Sequence, residues 1–282
     1  MAAPFNRLPR APSAGRAGDQ ADGLRKLFAG RRRALVPLAA NPHGASSARV
    51  LDRLAVLLAA QGRQVLVVDA ASTSPLAHEL AGVDLSACVL NVAPRLSYLA
   101  ARGLPLDYVD TRGSAGAFID AVQAAAPQAD VLLLHADGID LARLLKQRAV
   151  RPVLLGADHP ESIKHAYANA KLLARRCELM TFDLLLVAGR QSPRAAAIAQ
   201  SLGGCLDSFL GAMLRNSALL DIEAAPEAQA QADLIRLLAA QLALDEPAQG
   251  AEAAAAWPGS GPPRHSPAAR PAAAPISRPA FR

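Results

Sequence analysis

The sequence predicts an α/β fold: a mainly parallel, doubly wound sheet flanked by helices. Three observations carry the prediction. Short apolar runs bounded by turn residues recur along the chain. Longer segments with helical spacing of their apolar residues separate them, which is the alternation of a parallel sheet covered on both faces. The chain is 52% hydrophobic but only 4% aromatic, an Ala- and Leu-dominated balance that suits helices packed on a sheet. Its 282 residues suffice for one large α/β core.

The elements follow in order. Residues 1–18 are rich in Pro, Ala, Gly and Arg and read as a disordered basic leader. Residues 19–29 read as a short helix. A domain spanning 34–245 follows. Its strand-like runs are "ALVPLA" (34–39), "QVLVVDA" (64–70), "DVLLLHA" (130–136), "RPVLLGA" (151–157) and "FDLLLVAG" (182–189). Helical patterns fill 45–61, about 114–126, 138–148, 160–176, 193–203 and 227–244. Residues 246–282 are Pro- and Ala-rich with almost no branched aliphatics, so they read as a disordered tail, with Trp257 as an isolated aromatic.

Composition narrows the function classes. Residues 1–33 hold eight Lys/Arg and two Asp/Glu, while the remaining chain has 22 of each sign. The net charge of +6 therefore belongs to residues 1–33, which read equally as a contact for nucleic acid, anionic lipid or an acidic protein and as a solvated disordered arm. Cys88, Cys177 and Cys205 are dispersed, as in a reduced cytoplasmic protein rather than a disulfide framework. No apolar run reaches the ~18 residues of a membrane span. His43, His78, His135, His159 and His165 show no HExxH spacing, so no metal site is expected. No GxSxG is present, and no catalytic residue is assigned. "KLLARR" at 171–176 reads as a basic helix end. The last helical pattern has a single basic residue, Arg236, too few for a membrane-surface helix, and is expected to pack on the sheet.

In such sheets ligands bind just beyond the carboxyl ends of the strands. There the stretch "AANPHGASSARV" offers a turn with Gly44, then a helix start with Ser46 and Ser47. A phosphate-binding loop needs backbone N–H groups, a helix N-terminus and a lysine for the outer phosphate oxygens. Pro42 removes one donor, and Ala45 stands where that lysine is expected. No GxGxxG is present. The residues alone leave two readings open: a degenerate nucleotide loop at Gly44, Ala45, Ser46 and Ser47, or a capped helix start.

The stretch "LVPLAANPHGASSARVLDRLAVLLAAQGRQVLVVDAA" resembles the opening of the MinD/ParA family of deviant-Walker ATPases, with its KGGVGKTT loop and its helix ending LAxxGxxVLLVDAD. "ADHPESIKHAYANAKLLARR" (157–176) is similar to that family's PEPTSITDAYALIKLLAR segment, and "GRQSPRAAAIAQSL" follows as in the flagellar branch. "DQADGLRKLF", Asp19 to Phe28, is similar to the DQAxxLR element that heads the flagellar-number regulators FlhG (also called FleN). The resemblance covers about residues 19–244. It implies the P-loop NTPase-like architecture of the MinD type, and an element that docks on the GTPase FlhF and stimulates its GTP hydrolysis.

The departures bear on chemistry. The family's two loop lysines fall at Ala40 and Ala45, and the second carboxylate of its DAD falls at Ala71, leaving Asp69. The Asp that ends its next motif strand falls at His135, with Asp137 close by. The family uses these groups to bind phosphate, hold Mg²⁺ or its waters and orient the attacking water. Their joint loss implies ATP hydrolysis that is absent or very weak. No cofactor is expected, and ATP with Mg²⁺ enters only if residual binding survives. The family's ATP-driven homodimer depends on the same loop.

Residues 19–28 make physical sense by themselves. Asp19 is an N-cap candidate, with Asp22 near the positive end of the helix. Ala21, Leu24, Leu27 and Phe28 share one face, and Gly23 weakens the helix by up to ~1 kcal/mol. Such a segment is marginal alone and folds on a partner groove, with Gln20 and Arg25 as its polar reach. Without the resemblance, an ordinary first helix packed on the domain, with its charges solvated, is the better explanation; the resemblance favours partner docking.

Three readings result. The first is a cytoplasmic FlhG-like regulator of flagellar number and placement, peripheral at the cell pole or inner membrane. It docks on FlhF and on other flagellar switch or regulatory proteins. The second is a working ATPase that holds phosphate through Arg49 or Arg53. The third is a positioning protein that binds DNA or membrane through its leader, with nucleic acid the less favoured partner.

Overall fold

The structure, a computed structural model, describes residues 33–44, 47–189, 191–224 and 232–244. The leader, the 19–29 segment, Ala45, Ser46 and the 246–282 tail with Trp257 lie outside the described residues. The strands are β1 (Ala34–Ala39), β2 (Val65–Asp69), β3 (Leu90–Ala93), β4 (Leu96–Ala100), β5 (Val131–Ala136), β6 (Val153–Ala157), β7 (Thr181–Val187) and β8 (Met213–Leu220). The principal helices are α1 (Ser47–Ala60), α2 (Gly116–Ala125), α3 (Gly138–Leu144), α4 (Pro160–Cys177), α5 (Ala195–Leu210) and α6 (Ala232–Leu242).

The strands form one eight-stranded sheet in the order β3-β4-β2-β5-β1-β6-β7-β8. Every pairing is parallel except β3 with β4. The expected α/β class holds. The central strands read as unbroken apolar runs because both faces are covered: β1, β2 and β5 are buried along their whole length. One face carries α1 and α6, which bury Val50, Leu54, Leu58, Leu234 and Leu238 with Val36, Val67 and Leu133. The other carries α2 to α5, with Phe118, Leu141, Leu173 and Leu206 around Leu35, Leu134 and Phe182. Burying such side chains stabilises by about 1.5–3 kcal/mol each. Pro37 sits inside β1 although proline cannot donate to a ladder. The β1–β6 ladder covers only Leu38 and Ala39, whose partners Val153 and Leu154 open β6, so Pro37 lies outside it.

All five expected strands are present, and three others are not obvious in the sequence. β3 is exposed throughout and β4 contains Ser97, so neither reads as a buried run. β8 is an edge strand whose "MLRNSALL" keeps Arg215, Asn216 and Ser217 because its outer edge has no neighbour. The helix expected at 193–203 continues to Leu210. Gly203 and Gly204 weaken helix propensity, yet burial of Leu202 and Leu206 carries the helix through them. It stops at Gly211, whose φ of 63° gives a left-handed cap. α4 begins on His159, whose ring accepts from the Glu161 N–H, followed by Pro160. Arg175 and Arg176 stand in its last turn, where cations favour the helix dipole. Among the described residues no helix is long and apolar enough to cross a membrane.

Candidate functional site

The carboxyl ends of β1, β2 and β5 meet where ligands of such sheets bind. Their register places Ala39 beside Ala136 and Asp69 beside His135. The loop leaving β1 is a tight turn organised by Asn41, a buried residue. The Asn41 side-chain amide donates to Leu155 O at 2.7 Å and Ser162 O at 2.8 Å. Its Oδ1 accepts from the His43 N–H at 3.1 Å, and its backbone carbonyl accepts from the Gly44 N–H at 3.1 Å. This is Asx-turn geometry with Pro at the second position. Asn169 ties the loop from behind, donating to Ala40 O at 3.0 Å. Gly138 makes room for it, since a Cβ there would lie 2.3 Å from Asn169 Oδ1.

The turn decides what the loop offers an anion. A phosphate cradle needs N–H groups turned outward. Pro42 has none, and those of His43 and Gly44 are engaged by Asn41. Ala40, at the first lysine position, is 3% exposed and its N–H bonds Ala136 O. As arranged, positions 40–44 do not fit a triphosphate. Ser47 is the first residue of α1.

Asp69 is 4% exposed at the end of β2. It accepts from Ser74 Oγ, from His135 Nδ1 at 2.7 Å and from Tyr98 OH at 3.2 Å. Burial pushes its carboxyl up, but the hydrogen bonds from His135 and Ser74, the charge on His135 and the Tyr98 bond outweigh it and hold the group below its ordinary value. An ionised carboxylate only accepts, so Nδ1 carries the His135 proton. Burial, followed by the Asp69 charge and hydrogen bond, pushes the Tyr98 phenol up to about 12. His135 is fully buried, and its Nε2 has no partner among the described residues. Three protein donors thus take most of the acceptor sites of the Asp69 carboxylate, an arrangement that does not fit Mg²⁺.

Asp137 stays close to the site. Its Oδ2 accepts from the Ser72 N–H at 2.9 Å, bridging the loops after β5 and β2. His43 stacks edge-on against His165, with ring centroids 5.7 Å apart. Burial lowers the His165 pKa, the nearby His43 lowers it further, and Asp137 and the Ala40 backbone oppose this.

Arg49 and Arg53 point elsewhere. Arg49 bonds Glu223 at 2.6 Å and Ile222 O at 2.9 Å, and Arg53 bonds Ala224 O at 3.0 Å. Both fasten α1 to the segment after β8 and neither turns toward the loop.

The structure thus joins Asp69 and His135 directly and places Gly44 and Ser47 on the same loop–helix junction. Ala45 and Ser46 fall outside the described residues, as do Asp19, Gln20, Ala21, Leu24, Arg25, Leu27 and Phe28. The residues that organise the site and were not singled out are Asn41, Ser74, Tyr98 and Asn169. Only Asn41 carried a legible signal, because Asn-Pro initiates turns. Tyr98 and Asn169 arrive from distant elements, and Ser74 from the loop five positions beyond Asp69.

No protein-family model matches the chain, and no curated protein matches it by sequence. Solved structures do match by fold. A putative plasmid partition protein from Borrelia burgdorferi B31, bound to AMPPNP, is 10% identical with a TM-score of 0.51, over 76% of this chain and 98% of that one. A second plasmid partition protein structure from Borrelia burgdorferi is 12% identical with a TM-score of 0.50, over 75% and 97%. The MinC:MinD complex of Aquifex aeolicus is 13% identical with a TM-score of 0.46, over 66% and 80%. At these identities the likeness establishes the fold alone.

Proposed function

We propose that this chain is an FlhG-like regulator of the MinD/ParA type that has kept the nucleotide-binding scaffold and lost its chemistry. It acts by docking residues 19–28 on an FlhF-type GTPase. The observation that carries the first half is the loop. Both lysine positions are alanines, Asn41 engages the His43 and Gly44 N–H groups, and Asp69 is held by Ser74, His135 and Tyr98. The second half is supported by the DQAxxLR resemblance and by the amphipathic spacing of Ala21, Leu24, Leu27 and Phe28. Within this reading Gln20 and Arg25 reach the partner's catalytic centre, where a polar side chain orients water or meets a phosphate.

The test is GTP hydrolysis by FlhF with and without the full chain. Acceleration that Gln20→Ala abolishes supports the reading, and equal rates in both arms sink it. Because a protein of this fold binds AMPPNP, nucleotide binding is the competing reading. A titration with ATP and Mg²⁺ separates the two.

A further inference from the structure

On the face that carries α1 and α6, a cavity of about 240 Å³ opens beneath α1 near the β3 edge of the sheet. The width of the sheet explains it. Eight strands at about 4.8 Å spacing set the outer strands about 34 Å apart, and two helices of about 10 Å each cover about 20 Å of that. α1 therefore overhangs β2 and β4 and leaves β3 exposed. The roof of the cavity is one face of α1, where Ala48, Leu51 and Ala55 recur at helical spacing. The floor is made of alternate residues, Val67 and Asp69 of β2 and Leu96 and Tyr98 of β4, on the side of the sheet turned to α1. Exposed Val92 of β3 borders it.

The lining has charge of one sign. Asp69 and Asp52 both contribute to it, and among the described residues no Lys, Arg or His does. Arg49 and Arg53 of α1 are held at the segment after β8, and Arg102 is held on Ser72 O and Ser74 O. Asp69 Oδ1 accepts from Ser74 and His135, neither of which lines the cavity. Its Oδ2 accepts only from Tyr98, which does line it. Oδ2 is thus the oxygen on the cavity side, with a lone pair left beside the 3.2 Å phenol bond. A Mg²⁺ ion wants an octahedron of oxygens, whereas one open acceptor position among apolar walls suits a single N–H donor on an apolar body. Asp52, exposed on α1, adds its charge to the attraction. The Tyr98 ring supplies an aromatic surface that also favours a cation.

We propose that this cavity binds a small apolar amine in its protonated form, with the ammonium on Asp69 Oδ2 and the apolar body between α1 and β4. The bound amine bridges α1 to the β3 edge of the sheet. The site stands whether or not residues 19–28 dock on a GTPase, so its test is independent of GTP hydrolysis.

Three probes of similar shape separate charge from apolar fit: phenethylamine, a cation at neutral pH, its uncharged counterpart 2-phenylethanol, and the anion phenylacetate. Each is titrated into the full chain and followed through the backbone amide resonances. We expect phenethylamine to shift residues of α1, β2 and β4 and to bind about tenfold tighter than 2-phenylethanol, the advantage of a charge-assisted hydrogen bond. Phenylacetate should not bind. Ala48→Phe, at an exposed position of the roof, should abolish phenethylamine binding. Tyr98→Phe keeps the ring and leaves Oδ2 wholly to the ligand, so phenethylamine should bind about threefold tighter. No phenethylamine binding below about 10 mM, or equal affinity for the alcohol, overturns the proposal. So does preference for the anion, unchanged affinity in Ala48→Phe, or affinity in Tyr98→Phe that does not rise.

Discussion

Two buried carboxylates stand at opposite ends of this sheet. At the amino end, Asp183 of β7 is fully buried and accepts four donors: Arg151 Nε at 2.9 Å, Gln241 Nε2 at 2.7 Å, the Asn216 N–H at 3.0 Å and Asn216 Nδ2 at 2.9 Å. At the carboxyl end, Asp69 is equally enclosed but takes Ser74, Tyr98 and His135. The first network joins β7, edge strand β8, α6 and Arg151 in the segment leading into β6, and so holds the sheet's outer half together. The second joins β2, β4 and β5 to the loop after β2. A carboxylate at the mouth of such a sheet thus serves the same structural use as one at its base when neighbouring side chains supply its donors.

Removing Asp183 tests the structural end and gives the largest expected effect. Asp183→Ala leaves the Arg151 guanidinium, only 11% exposed, without its carboxylate. We expect a loss of about 3–5 kcal/mol, read from the denaturant midpoint, because an uncompensated buried charge remains. Retention of wild-type stability would show that the network is incidental.

Asn41→Ala is the matching test at the mouth. It removes the buried side-chain donor to Leu155 O and Ser162 O and should cost about 1–3 kcal/mol. It also frees the His43 N–H, while the Gly44 N–H stays on the backbone carbonyl of residue 41, so a gain in phosphate affinity beyond the stability loss would show how strongly the side chain closes the loop.

The pH dependence sharpens the comparison further. The folded pKa of His165 lies below its ordinary value of 6.5, so the unfolded chain binds its proton first. Stability is therefore fully present above about 6.5 and falls as pH drops through the folded value. Asp69 acts later and with the same sign, its contribution being present above 3.8 and lost as pH falls through its lowered folded value. Thermal midpoints from pH 8 to 4 should show the upper arm, and His165→Gln should flatten it. An upper arm unchanged in that variant assigns it to another group.

The smallest effect is expected from restoring one cation. Ala45→Lys should change ATP affinity less than about tenfold, or ~1.4 kcal/mol, because the turn and the hydrogen-bonded Asp69 remain. A single lysine that restores tight binding would show that the loop's geometry is not the barrier.

Much of this was legible in the sequence. The five central strands follow from their apolar runs because burial on both faces imposes one composition. Strands β3, β4 and β8 did not, since an exposed strand obeys no such rule and β8 keeps polar residues at the sheet's edge. The alanines at positions 40 and 45, where a phosphate-binding loop would carry lysine, are visible directly. The hydrogen bonding of Asp69 is not, because Tyr98 is 29 positions and His135 66 positions away. Only the β2–β4 and β2–β5 registers bring them together. The roles of Arg49 and Arg53 were equally hidden, since their partners lie beyond β8, more than 170 residues on.

Calorimetric titration of the full chain with ATP and Mg²⁺ tests the central claim most directly. The account predicts no saturable heat below about 1 mM nucleotide, the affinity of a ~4 kcal/mol interaction. A stoichiometric micromolar site with measurable turnover would contradict it.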